Sequence, residues 1–310
     1  MHPHRLAHPA ALLICLAPFG CGSSDAESGG AAGGGGAAGA GGAGSGGLGG
    51  AGATASGYSA KLVSAEPTVG KSRFELALTT LPDGQPATGL GPAIDIAPVM
   101  DMGGHAHGSP VPLDAVQESA TAGTYDIELF FSMAGEWKLD VTVGDVAAGS
   151  FAANVPAPPG PDTTHVSLKS EKDTIKTPMG HDKPRNWYLF RDGLSAASGK
   201  HTFTVFLATV QQDAMQWPPA TVGLKLVDGA GEEQLVVNSL EVLGSVDGQS
   251  WAALSCDALS RCSGTLEGLA SGVQEIFVKL AVNGSAYTTD GAAPGAVVNN
   301  EFATFVVTAP

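Results

Sequence analysis

The run Met100-Asp101-Met102-Gly103-Gly104-His105-Ala106-His107 places two thioethers and two imidazoles within eight residues. Soft sulfur with borderline nitrogen is the donor set that favours copper, Cu(I) above all. Thioethers carry no proton to lose, whereas imidazoles lose metal affinity as they protonate at about pH 6–7. Met133 supplies a further sulfur, at the end of an alternating stretch and just before Ala134-Gly135. Packing is the competing explanation. Met100 and Met102 share parity with Ile94 and Ile96, so they also suit the core face of a strand end. His105 and His107 lie past two glycines, in a segment without apolar period, where solvated loop histidines are the plainer expectation.

Little else in the chain could do chemistry. Ala65-Glu66-Pro67-Thr68-Val69-Gly70-Lys71-Ser72 has the spacing of a loose phosphate loop, but a strand pattern follows where that loop needs a helix. There is no Gly-x-Ser-x-Gly elbow, no His-Glu-x-x-His and no calcium loop. Nothing in the sequence asks for an enzyme. Cys256 and Cys262 suit one small disulfide loop in an oxidising compartment, and their spacing is not the redox Cys-x-x-Cys. Thr177-Pro178-Met179-Gly180-His181-Asp182 faintly echoes the first run, and reads as an exposed loop. Trp187, Trp217 and Trp251 read as core anchors.

The elements that must position these residues are strands. Phe74, Leu76 and Leu78 alternate with polar or small residues, as do Tyr125, Ile127, Leu129 and Phe131, and Trp137, Leu139, Val141 and Val143. Phe130 breaks the second pattern. Val155-Pro156-Ala157-Pro158-Pro159-Gly160-Pro161 opens a stiff hinge over residues 156–164. Strand signals resume from residue 165 to the end, with Asp228-Gly229, Asp247-Gly248 and Asn283-Gly284 as tight turns. Residues 256–272 suit a short helix or a loop. The pattern predicts an all-β chain of two β-sandwich, immunoglobulin-like domains, over residues 58–155 and 165–310.

The N-terminus reads as a targeting segment. Arg5 precedes an apolar stretch, residues 10–17, too short to span a bilayer. Ala17-Pro18-Phe19-Gly20-Cys21 resembles the bacterial lipobox, departing from it at Pro18, where leucine is usual. The resemblance implies removal of residues 1–20 and lipidation of Cys21. Residues 21–57 are almost wholly Gly, Ala and Ser, a tether whose reach is on the order of 30–35 Å. Gly22 lacks the aspartate that often holds lipoproteins at the inner membrane, which favours the outer membrane. The net charge of −15 argues against nucleic acid and anionic membrane surfaces.

A wider likeness runs through the first domain. Glu66-Pro67-Thr68-Val69-Gly70 leads into Phe74-Glu75-Leu76. Pro82-Asp83-Gly84-Gln85-Pro86 and the Met–His run follow. Gly123-Thr124-Tyr125 and Phe131-Ser132-Met133-Ala134-Gly135-Glu136-Trp137-Lys138-Leu139 complete it. This order resembles the YtkA-like domain, a small immunoglobulin-like sandwich of exported bacterial proteins. The resemblance implies a setting of copper or heavy-metal handling, with Met100, Met102, His105 and Met133 as the positions that carry over. That family usually has a more compact Met-x-x-Met or Met-Gly-His, so the double glycine and His107 are departures. The expectation is an exported, lipid-anchored protein that binds copper in buffering or delivery, through Met100, Met102, His105, His107 and Met133. It would exchange the ion with a metal-handling partner. The alternative is a non-catalytic surface module without metal.

Overall fold

Alternation along the strands decides which side chains meet. The computed structural model describes residues 57–103, 106–176, 181–211, 216–228 and 231–310. The first sandwich comprises β1 (Gly57–Glu66), β2 (Gly70–Leu81), β3 (Ile94–Asp101), β4 (Ala106–Gly108), β5 (Val116–Glu118), β6 (Thr124–Phe131), β7 (Gly135–Val143) and β8 (Val146–Val155). They form two antiparallel sheets, in the orders β1-β2-β6-β5 and β4-β3-β7-β8. The predicted alternation holds. Phe74, Leu76 and Leu78 meet Ile127, Leu129, Phe131, Trp137, Leu139 and Val141 in one core. Pro98, which cannot donate to a ladder, sits where β4 no longer pairs with β3, because that pairing covers only Val99–Asp101.

The second sandwich comprises β9 (His165–Lys176), β10 (Asp182–Ala197), β11 (Lys200–Thr209), β12 (Lys225–Val227), β13 (Glu233–Val236), β14 (Leu240–Ser245), β15 (Ala252–Ala253), β16 (Ser255–Cys256), β17 (Arg261–Leu266), β18 (Gly272–Val282), β19 (Ser285–Tyr287) and β20 (Ala303–Ala309). β12 and β13 form a two-stranded sheet of their own; of the two main sheets one runs β16-β17-β11-β10-β9 and the other β15-β14-β18-β19, with β20 also on β18. Between them lie Trp187, Leu189, Phe203, Val205, Ile276, Val278, Phe305 and their neighbours. The chain is therefore all-β, with two β-sandwiches. Residues 256–272 are not helical. They hold the β16–β17 hairpin, with Cys256 and Cys262 directly paired across it and joined by a disulfide. Of the three tryptophans expected as core anchors, Trp187 and Trp217 are buried. Trp251 is half-exposed, with the Lys279 ammonium 4.3 Å from its ring centroid.

Phe130, the break in the β6 pattern, has a cause. Its ring points away from the first core and stacks on Phe206 of β11, with centroids 4.6 Å apart and planes 7° apart. Phe190 lies 5.4 Å away. Charges ring this contact. Lys71 pairs with Glu128 at 2.8 Å and Asp192 at 2.6 Å. Arg261 reaches Asp192 and Glu128 at 3.0 Å each and Asp114 at 2.6 Å. Burial works against the Arg261 charge, but the Asp114 and Glu128 carboxylates and the nearby Asp192 outweigh it and push the guanidinium further up. The Pro-rich segment is tied at both ends. Val69 N–H donates to the Pro156 carbonyl, and Asp162 accepts from Arg191 and from the Thr308 hydroxyl.

Candidate functional site

The Met–His run forms a β-hairpin. Antiparallel pairing sets Asp101 opposite Ala106 and Met100 opposite His107. Asp101 Oδ1 accepts from the Gly103 N–H at 2.9 Å, an Asx turn that ends β3, and Gly103 takes a positive φ of 70°. His107 is thus a strand residue, half-buried, and not the solvated loop histidine its surroundings suggested. Directly opposed residues of an antiparallel pair share a face, with Cβ atoms about 4.5–5.5 Å apart. Met100 and His107 are therefore side-by-side neighbours.

The methionines divide by depth. Met100 is 6% exposed and belongs to the first core. Met133 is half-buried and packs on that same core. Met102 is 47% exposed. Its core parity has no effect, because β3 ends one residue before it. Cys21 and His105 lie outside the described residues.

One short motif explains how Met100 and Met133 come to one corner. A Cβ added to Gly135 would lie 2.8 Å from Met100 Cε and 3.7 Å from its Sδ, so the glycine leaves the room Met100 occupies. Gly135 also has φ 139°, which side-chain-bearing residues rarely adopt. Two residues on, the Trp137 indole N–H donates to the Met133 carbonyl at 3.2 Å and fixes the turn. Met133-x-Gly135-x-Trp137 is thereby a clasp around the end of Met100. Gly123-x-Tyr125 is a similar packing device. A Cβ at Gly123 would meet the Leu78 carbonyl and Pro86 at 2.9 Å. The buried Tyr125 hydroxyl donates to Ala87 O at 2.8 Å and accepts from Leu90 N–H at 3.2 Å.

Among the described residues, no three His, Cys, Asp or Glu side chains gather as a metal-ligand group. Met100, Met133 and His107 offer two soft donors and one borderline donor at the same end of one core, with Met102 at the hairpin tip. That composition fits copper. The phosphate-loop spacing leads elsewhere. Gly70, Lys71 and Ser72 open β2, Lys71 is engaged in ion pairs, and the Ser72 hydroxyl donates to the Thr68 carbonyl. The second echo of the run is only partly visible: residues 177–180 fall outside the described set, and Asp182 begins β10 opposite Lys176.

Residues 52–142 match the family model described as YtkA-like. The match runs from before β1 into β7 and takes in the hairpin, the Gly-x-Tyr pair and the Met133 clasp. The chain matches no curated protein. Among solved structures, it is similar to the adhesin InvE of Yersinia pseudotuberculosis at 13% identity, over 82% of this chain and 60% of that one, with a TM-score of 0.25. It is similar to invasin, a bacterial integrin-binding protein, at 15% identity, over 74% of this chain and 37% of that one, with a TM-score of 0.24. Domains 5–6 of the S-layer protein SbsC follow at 10% identity, over 80% of this chain and 96% of that one, at 0.22. The chain thus spans less than two thirds of the first two proteins.

Proposed function

We propose that this protein is an exported, membrane-tethered module whose first sandwich binds copper at the β3–β4 corner, for buffering or delivery. The ligands are drawn from Met100, Met102, His105, His107 and Met133. The observation that carries this is the hairpin register, which pairs Met100 directly with His107 across β3 and β4. The YtkA-like match and the donor chemistry support it. Cys21 would hold the chain to a membrane by its lipid, most simply the outer membrane, and a metal-handling protein would exchange the ion. The Cys256–Cys262 disulfide agrees with an oxidising compartment.

A second reading has its own support. Met100 is buried and fitted against Gly135, as a core methionine would be. On that basis the two sandwiches are a non-catalytic surface module without metal. One titration separates the two. Cu(I) is titrated under a competing chelator into the wild type, a Met102→Ala/His107→Ala variant and a Met133→Leu variant. These leave Met100 and its packing in place, and leucine keeps the bulk of Met133 while removing sulfur. Copper binding predicts an affinity loss of at least about tenfold in each. Equal affinity in all three would refute the metal site and leave the surface module.

A further inference from the structure

The segment that follows His107 is moored to the second sandwich. Immediately after β4, the Ser109 hydroxyl donates to the Phe130 carbonyl, and Phe130 N–H donates back to Pro110 O at 3.5 Å. Phe130 is the residue whose ring lies stacked on Phe206 of β11. Five residues further, Asp114 meets the Arg261 guanidinium at 2.6 Å. Next, Glu128 N–H donates to the Ala115 carbonyl, and β5 then pairs with β6. Glu128 itself accepts from Arg261 at 3.0 Å. Residues 109–115 therefore run along β6, bonded to its Phe130 and Glu128, and Asp114 of this segment and Phe130 of β6 are each held by a side chain of the other sandwich.

Arg261 is built to hold. It sits in β17 opposite Phe206, next to Cys262, and at the end of the turn closed by the Cys256–Cys262 disulfide. The Asp257 carboxylate accepts from the Arg261 N–H at 2.9 Å and the Leu259 N–H at 2.8 Å. Ser260 is fully buried, with its hydroxyl between the Leu207 and Ala220 carbonyls. A short, cross-linked, internally bonded turn thus presents one guanidinium to three carboxylates.

We infer that the second sandwich positions the β3–β4 hairpin of the first, with Arg261 acting through Asp114, and Phe206 through Phe130, on the segment that follows His107. This extends the proposed copper site by giving the second sandwich a part in it: His107 is a candidate ligand, and Arg261 is a positioning residue that touches no ligand.

Hydrogen exchange and copper titration on the full chain test this. Arg261→Gln and Asp114→Asn each remove part of the mooring and leave the disulfide, Met100, His107 and Met133 unchanged. Both should speed amide exchange in residues 106–115 about tenfold, as loss of a charge-assisted bond does. Exchange in β2 and β7 should stay as in the wild type. Cu(I) affinity should fall several-fold in both variants. Asp114→Asn guards against global damage by Arg261→Gln, since it leaves Lys71, Glu128, Asp192 and Arg261 paired with one another. Unchanged exchange in 106–115, or an equal rise across the whole chain, would overturn the inference. Localised exchange together with a wild type that binds no Cu(I) would uphold the mooring and refute the metal site.

Discussion

Gly135→Ala and Met100→Ala, alone and together, measure the clasp at the candidate site. A methyl on Gly135 would lie 2.8 Å from Met100 Cε, where carbon atoms ordinarily keep about 3.5–4.0 Å. The overlap approaches an ångström, and relieving it by moving a packed thioether costs about 1–3 kcal/mol. The φ of 139° at this position adds backbone strain of about 1–2 kcal/mol. Gly135→Ala alone should therefore destabilise by about 2–4 kcal/mol. Met100→Ala alone removes a side chain that is 6% exposed, which costs about 2–5 kcal/mol. In the double variant the methyl added at position 135 enters space that Met100 has left, so the overlap disappears and part of the cavity fills. The two costs should then fall short of their sum by about 1–2 kcal/mol. Urea unfolding of the four proteins reads this coupling directly. Additivity within about 0.5 kcal/mol would mean that Met100 does not occupy the space in front of Gly135. The clasp would then fail as the explanation of the Met-x-Gly-x-Trp motif.

Two further outcomes follow from other parts of the fold. Phe130→Ala empties a fully buried position between the sandwiches, at a cost of about 3–5 kcal/mol. Because the ring serves neither core, calorimetry should show one transition becoming two; a single, merely lowered transition would argue that the contact does not couple the sandwiches. His165 stacks on Phe190 with centroids 5.2 Å apart, and burial lowers its pKa from about 6.5. The unfolded chain therefore takes up a proton that the folded one refuses. The stability in question is present above about pH 6.5 and is lost as pH falls through that value. His165→Phe keeps the stack and removes the proton uptake, so its stability should fall less than the wild type's between pH ~7.5 and ~5.5. An equal fall in both proteins would refute that assignment.

Much of the fold was legible because period-2 patterns report burial directly. Phe74 to Leu78, Tyr125 to Phe131 and Trp137 to Val143 all face the core that their alternation names. The one irregularity, Phe130, carried information of a different kind: an apolar residue on the wrong face marks a second contact, here with Phe206. Met102 shows the limit of parity, which loses meaning one residue past a strand end. His107 shows another. A three-residue strand is too short to have a period, so β4 could not be seen until β3 paired with it. The charge cluster was out of reach altogether. Asp114 and Arg261 are 147 positions apart in sequence, and neither has a neighbour that hints at the other. Arg185, wholly buried and bonded to Asp173, Val210 O and Gln234, was equally silent.

The candidate site changes in kind once the motifs are placed. In Gly123-x-Tyr125 and Met133-x-Gly135-x-Trp137 each glycine makes room and each aromatic group holds a carbonyl. The second of them sets the end of Met100 against the Met133 turn. A thioether suits that role because it is apolar enough to be buried without a hydrogen-bond partner and still offers a soft lone pair. A carboxylate or thiolate at position 100 would need a partner or a proton in the same place. His107, the described histidine of the run, is half-buried and paired with Met100 across the two strands. Met100 is the deepest of these side chains, Met133 and His107 are half-buried, and Met102 stands exposed one residue past the end of β3.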